Sequence, residues 1–333
     1  MRYSLAAGAV ALLAASTLTA ASPATAAPAC RDVHAPVTVL GHREVVHGTL
    51  CTPAGGGSTV QLLIPGATYN SAYWDYPGAH SFRAAQNAAG FATLAVDRLG
   101  TGGSSRPPAA TLTALAQAEA MHQVVRGLRS GAYGRSFPRV VIGGHSLGAA
   151  IAVVEAGTHH DVDGVLLTGM THRVNPAGVT AVFATFVPAN LDRRFGALFP
   201  PGYLTTAPGT RYGNFHAPGE LSRAARELEE ATKDVFSPVE TADALGVAVV
   251  LPYSRLVDVP VLSVVGSHDS AVCGPLATDC SSAEALREDE APYFTAPLEA
   301  HVVPGHGHSI NLAREAGRYY AAVASWASRE VGR

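Results

Sequence analysis

The residues with the clearest capacity for chemistry are Gly144-His145-Ser146-Leu147-Gly148, a G-x-S-x-G pattern. It directly follows an apolar run, Arg139–Gly143, that reads as a strand and precedes a small-sided stretch from Leu147 that reads as a helix. A serine on such a sharp strand-to-helix turn is held in a strained backbone, with its alcohol exposed beside helix N-terminal N–H groups that can stabilise an oxyanion. The alcohol is a poor nucleophile at neutral pH and needs a base, which in turn needs an orienting carboxylate. Pro304-Gly305-His306-Gly307-His308 follows the last expected strand, where a loop can carry an imidazole over the sheet edge. His308, immediately before the closing helix, is favoured over its competitor His306, and His301 inside the strand reads as structural. Asp269, in Gly266-Ser267-His268-Asp269 after the strand Pro260–Val265, is the candidate acid, with a turn-forming role as its alternative. The run Leu62–Ala67 ends a strand, so the backbone N–H groups of Ala67 and Leu147 are the candidate oxyanion hole.

Short β-branched runs alternating with alanine-rich stretches must position these groups, and that alternation marks an α/β sheet covered on both faces. Expected strands are Val37–Leu40, Glu44–Leu50, Thr59–Ile64, Ala92–Val96, Val140–Gly143, Gly164–Thr168, Val261–Val265 and His301–Val303. Expected helices are Ser81–Ala89, Leu112–Leu128, Leu147–Ala156 and a closing helix from about Ile310 to Glu330. Between Met170 and Val257 the alternation gives way to a loop rich in proline and glycine and then a charged helix near Glu220–Asp234. A structureless loop of that length is uncommon in a compact domain, so the segment reads as an inserted helical subdomain.

The first 26 residues read as a signal peptide: Arg2, an apolar stretch Leu5–Leu13, and Ala24-Thr25-Ala26 as a cleavage site. The apolar stretch is shorter than the roughly 20 residues of a spanning helix, so secretion is expected over a stable membrane anchor. Four cysteines, Cys30, Cys51, Cys273 and Cys280, fit disulfides in an exported chain, and proximity favours Cys30 with Cys51 and Cys273 with Cys280. They show no C-x-x-C spacing, which argues against a cysteine zinc site. A net charge of -3 without a basic cluster argues against nucleic-acid binding. With only 15% charged residues, the expected partner is a neutral or apolar small-molecule ester.

The order of strand, Pro65-Gly66-Ala67 loop, Asp97-Arg98-Leu99-Gly100-Thr101-Gly102-Gly103-Ser104-Ser105, Gly144–Gly148, Gly266–Asp269 and Gly307-His308 resembles the α/β-hydrolase superfamily across residues 27–333. The resemblance implies an eight-stranded, mostly parallel sheet, a helical cap after the sixth strand (about 170–257), and a Ser146–His308–Asp269 triad without metal or organic cofactor. The usual His-Gly before the oxyanion residue is Pro65-Gly66 here, so the hole's supporting hydrogen bonds are expected to differ. Asp97 and Arg98 are expected to brace loops and His145 to be packed. Tyr69, Tyr73 and Trp74 divide between pocket and core; Phe183, Phe186, Phe195, Phe199 and Tyr203 divide between an apolar pocket and ordinary packing of the inserted segment. The leading expectation is a secreted serine hydrolase of a carboxylic ester or lactone. An acyltransferase, cyclase, amidase or peptidase using the same triad, and a non-catalytic binding protein on this fold, are the alternatives.

Overall fold

A computed structural model describes residues 28–333 apart from 197 and 252, together with 1, 3 and 4. The expected signal peptide therefore falls almost wholly outside the described residues. Strands β1 (Ala29–Val39) and β2 (His42–Thr52) bury alternate residues, among them Val33, Ala35, Val37 and Val39, and form an antiparallel edge with one face in water. The next strands, β3 (Thr59–Ile64), β4 (Ala92–Val96), β5 (Arg139–His145) and β6 (Gly164–Thr168), are buried almost throughout, as an interior parallel sheet requires. Helices α1 (Phe82–Ala88), α2 (Ala114–Ser130) and α3 (Leu147–His159) connect them, and Ser81 and Thr113 cap the first two by accepting from the N–H groups of Ala84 and Ala116.

Between β6 and the next strand of the main sheet lie α4 (Pro176–Phe183), a short antiparallel pair β7 (Phe186–Pro188) and β8 (Leu204–Thr206), α5 (Arg211–Phe215), α6 (Arg223–Ala231) and α7 (Pro238–Ala244). The β7–β8 pair was not foreseen; each strand has only three residues, too few to show a periodicity. The chain then returns through β9 (Val261–Gly266), α8 (Ala283–Glu290), β10 (Leu298–Val303) and α9 (Ala316–Glu330). The eight-stranded sheet runs β1-β2-β4-β3-β5-β6-β9-β10, parallel from β4 onward. This is the α/β-hydrolase fold. The closing helix starts later than expected, because a separate turn at Ile310–Leu312 precedes it. Buried Asn311 pins that turn by donating to the Tyr73 carbonyl (2.8 Å).

Both disulfides join the cysteines that sequence proximity favoured, Cys30–Cys51 and Cys273–Cys280. Cys30 and Cys51 face each other across the β1–β2 ladder. No helix among the described residues is long and apolar enough to cross a membrane. The Cys30–Cys51 bridge closes a segment with a sequence separation of 21, a span for which loop-closure entropy contributes about 3 kcal/mol. Replacing both cysteines with serine should lower unfolding stability by that order in denaturant titrations, and an unchanged midpoint would show that the bridge adds nothing to the hairpin.

Candidate active site

Ser146 sits between β5 and α3 with φ 53° and ψ −116°, a backbone conformation that costs a non-glycine residue on the order of 1–3 kcal/mol. Three hydrogen bonds hold it there: its N–H donates to the Thr168 carbonyl (2.8 Å), and its own carbonyl accepts from Ala149 (2.9 Å) and Ala150 (3.1 Å) in the first turn of α3. The turn also needs Gly148, where a Cβ would run into the carbonyls of Ile64 and Pro65. The register of the parallel sheet sets Ile64 opposite Gly144 and His145 opposite Thr168. The loop after β3 is thereby delivered to the serine.

His308 Nδ1 donates to Asp269 Oδ2 (2.7 Å), and both side chains are buried. The other carboxylate oxygen accepts from the Ala271 N–H (2.9 Å), so the acid is fixed on both sides. Its carbonyl accepts from the N–H of Cys273, which the second disulfide ties to Cys280. His306 points to a different carboxylate, with Nδ1 2.9 Å from Glu220 Oε1. His145 is fully buried, stacked on Tyr73 at 4.3 Å, with its ring centroid 4.8 Å from that of His308. Burial, with His308 beside it, holds the His145 imidazole well below its ordinary pKa, so it stays neutral.

The N–H groups of Ala67 and Leu147 have no hydrogen-bond partner among the described residues. Where the sequence departs from His-Gly, fully buried Arg98 supplies the support: Nε and Nη2 donate to the carbonyls of Pro65 and Gly66 (3.1 Å each), and Nη1 pairs with Glu240 of α7 (2.6 Å). Asp97 braces loops, accepting from the N–H groups of Ser71 (2.8 Å) and Gly103 (2.9 Å). Thr68, in the loop after β3, also takes a positive φ of 63°. Arg211 of α5 holds it there, donating to Thr68 Oγ1 (2.8 Å) and to its carbonyl (3.1 Å).

Arg211 opens onto a network of buried charge that the sequence reading missed. It pairs with Glu229 (2.8 Å), which also accepts from the hydroxyls of Tyr69 (2.5 Å) and Tyr76 (3.2 Å). His216 lies 3.6 Å from both Glu229 and Glu220. Glu220 in turn accepts from the N–H of Gly307 (3.0 Å), the residue before His308. Burial pushes the Glu220 carboxyl up, but the imidazoles of His216 and His306 beside it outweigh burial and bring it down to about 2. Burial likewise pulls His216 down, and its two carboxylates overcome this and raise it above its ordinary value. Tyr69 and Tyr76 are pushed well up, chiefly by burial and then by Glu229, so they remain neutral donors.

A cavity of about 140 Å³ lies over Ser146, and Ser146, His308, Ala67 and Leu147 all line it. Its other walls are mostly apolar, including Val179, Val182, Phe183, Phe186, Phe215 and Leu245. Of the aromatic residues left open by the sequence, Tyr69, Phe183 and Phe186 line the cavity and Tyr73 and Trp74 are core. Phe195, Phe199 and Tyr203 pack on one another instead. A second serine–histidine–carboxylate set exists in Ser254 Oγ, 2.8 Å from His172 Nε2, and Glu290, 2.6 Å from His172 Nδ1. All three are buried and none lines the cavity, so this set fastens the end of the inserted segment to the core.

A family model described as the alpha/beta hydrolase family matches residues 61–323, and the chain belongs to that family. A comparison with curated protein sequences finds no match. Among solved structures, the chain is similar to a thermophilic esterase from Thermogutta terrifontis (19% identity, 90% of this chain and 98% of that one, TM-score 0.63). It is also similar to a highly thermostable carboxyl esterase from Bacillus coagulans (16%, 91% and 99%, TM-score 0.64) and to the enol-lactonase from Burkholderia xenovorans LB400 (16%, 88% and 99%, TM-score 0.53). At these identities the likeness is one of fold.

Two outcomes follow from the geometry. Gly148→Ala should displace α3 from the loop after β3 and slow covalent labelling of the candidate Ser146 by a fluorophosphonate about 100-fold, the scale of a misplacement near 1 Å; unimpaired labelling would mean that the turn tolerates the methyl group. Because the Glu220 carboxyl drops from an ordinary 4.5 to about 2, its contribution to stability is complete above pH 4.5 and disappears as the pH falls to 2. Thermal melts across that window should therefore fall more steeply for the wild type than for Glu220→Gln, and equal slopes would contradict the assignment.

Proposed function

We propose that this chain is an exported serine hydrolase that cleaves a neutral carboxylic ester or lactone through an acyl-enzyme on Ser146. The observation that carries this reading is the convergence of Ser146, His308 and two unpartnered N–H groups on one apolar cavity, with Asp269 2.7 Å behind His308. In the proposed reaction Ser146 Oγ attacks the carbonyl while His308 Nε2 takes its proton. Asp269 holds the opposite ring nitrogen and stabilises the imidazolium. The N–H groups of Ala67 and Leu147 receive the oxyanion, each donor of this kind being worth roughly 10²–10³ in rate. The protonated His308 then protonates the leaving alcohol, and a water activated by the same imidazole releases the acid. The segment at about 170–257 acts as the cap that roofs the acyl group. Apart from the His308 imidazole, no acidic or basic side chain among the described residues lines the cavity, which favours an uncharged acyl group. Export rests on the leader-like residues 1–26 and on the pairing of all four cysteines.

The test is hydrolysis of p-nitrophenyl butyrate. Ser146→Ala and His308→Ala should abolish turnover with circular dichroism unchanged, Asp269→Asn should lower kcat by about 10⁴, and His306→Ala should retain the chemistry. Turnover persisting in Ser146→Ala, or failure of a fluorophosphonate to label Ser146 in the oxidised protein, would sink the reading and leave a binding protein.

A further inference from the structure

Helix α3 is buried along almost its whole length, and its side chains from Leu147 to Ala156 are small or apolar with one exception. Glu155 sits nine positions beyond Ser146, about 14 Å further along the helix axis, with its side chain fully buried. Among the described residues neither of its carboxylate oxygens has a hydrogen-bond partner. A buried carboxylate without donors is costly, so native structures supply it with a proton, a paired cation or a metal. Two further residues converge on it. Asp161, in the loop after α3, also leaves both carboxylate oxygens without a hydrogen bond, and His122 of α2 presents Nδ1 2.8 Å from Asp161 Oδ2 without hydrogen-bond geometry. Ligand atoms from His122, Glu155 and Asp161 lie within 4.8 Å of one another.

Arg129, the guanidinium beside this set, is committed to other groups. The guanidinium of Arg129 donates to the carbonyls of Asp161 (2.8 Å) and Pro138 (2.6 Å) and to the carboxylate of Asp163 (2.7 Å), leaving the Asp161 carboxylate to face Glu155 and His122. His159 stacks on His122 at 3.8 Å and lies 3.7 Å from Glu119, so it fixes the His122 ring plane without joining the set. His122 and Asp161 are each about 20% exposed, which gives an ion a path from solvent.

We propose that His122, Glu155 and Asp161 form a divalent transition-metal site, of the Zn²⁺ type, that pins α2 and α3 together and is separate from the Ser146 cavity. One imidazole and two carboxylates neutralise a +2 ion and supply three ligands, with the partly open side left for water. The imidazole selects against Ca²⁺ and Mg²⁺, which favour all-oxygen sets.

The test uses chelator-treated, oxidised protein titrated with ZnCl₂ by calorimetry, with metal content measured after dialysis and the thermal midpoint followed in parallel. One Zn²⁺ should bind per chain and raise the midpoint, and Ca²⁺ or Mg²⁺ at equal concentration should not compete. Glu155→Gln and His122→Ala should each weaken binding more than about 100-fold, beyond what loss of an outer-shell partner costs, while Ser146→Ala binds as the wild type does. His122 is partly exposed, so its alanine variant keeps the comparison valid where the buried Glu155 change disturbs folding. Absence of a stoichiometric ion in the wild type, or equal binding in both variants, would overturn the proposal and leave Glu155 and Asp161 as two carboxyl groups sharing a proton.

Discussion

The structure depends on one backbone constraint: a non-glycine residue held at positive φ where the central strand β5 meets α3. The conformation is unfavourable in isolation, so the surroundings must determine it. They do so by closeness. The turn fits only because Gly148 brings the helix against the carbonyls after β3, and because a Cβ at Gly66 would press on His145 and Ser146. Packing this tight passes the position of Ser146 to the loop after β3 through the sheet register rather than through side chains. Thr68, the other strained residue beside the site, is buttressed from above by Arg211.

The buried charges between the inserted segment and the core answer a different need. Arg211, Glu229, His216 and Glu220 all belong to the inserted segment, and they meet core groups that are mostly neutral donors: Tyr69, Tyr76 and the Gly307 N–H. Buried ion pairs add little net stability over an apolar seat of the same shape. What they supply here is a fixed seat, since Glu229 and Glu220 each meet their core partners in this one arrangement. His308 is the beneficiary, with Glu220 holding the residue before it and the Phe215 carbonyl accepting from the residue after it (2.9 Å).

The sheet was legible because its inner strands are apolar on both faces; Thr59–Ile64, Ala92–Val96 and Gly164–Thr168 appear with the bounds their composition suggests. Ser146, Asp269 and His308 stand out in the sequence as candidates because each follows a strand, and a strand end fixes where a side chain can go. His308 could be preferred to His306 by placement alone, but the reason His306 faces away is Glu220, more than eighty residues earlier and at the start of a run that reads only as a charged helix. The same holds for Glu229: helix α6 is amphipathic, and nothing in its spacing shows that one acid turns inward against two tyrosines. The role of Arg98 as a brace was foreseen, but its partner Glu240 was not, because the pairing spans the inserted segment. Local pattern reports what lies on one element; burial of charge is a property of two elements meeting.

The inserted segment also divides in a way that bears on its history. Its second half, from Arg211 to Glu240, is bound to the core through charge and hydrogen bonds. Its first helix, α4, buries no residue of its own, yet supplies Val179, Val182 and Phe183 to the cavity wall. Mutation therefore meets two regimes within one insertion. In the charged half a single change leaves a partner stranded, so drift there requires paired replacements. In α4 one apolar residue can succeed another with little harm to the fold, and a lineage descending from this chain would diversify its substrates there first.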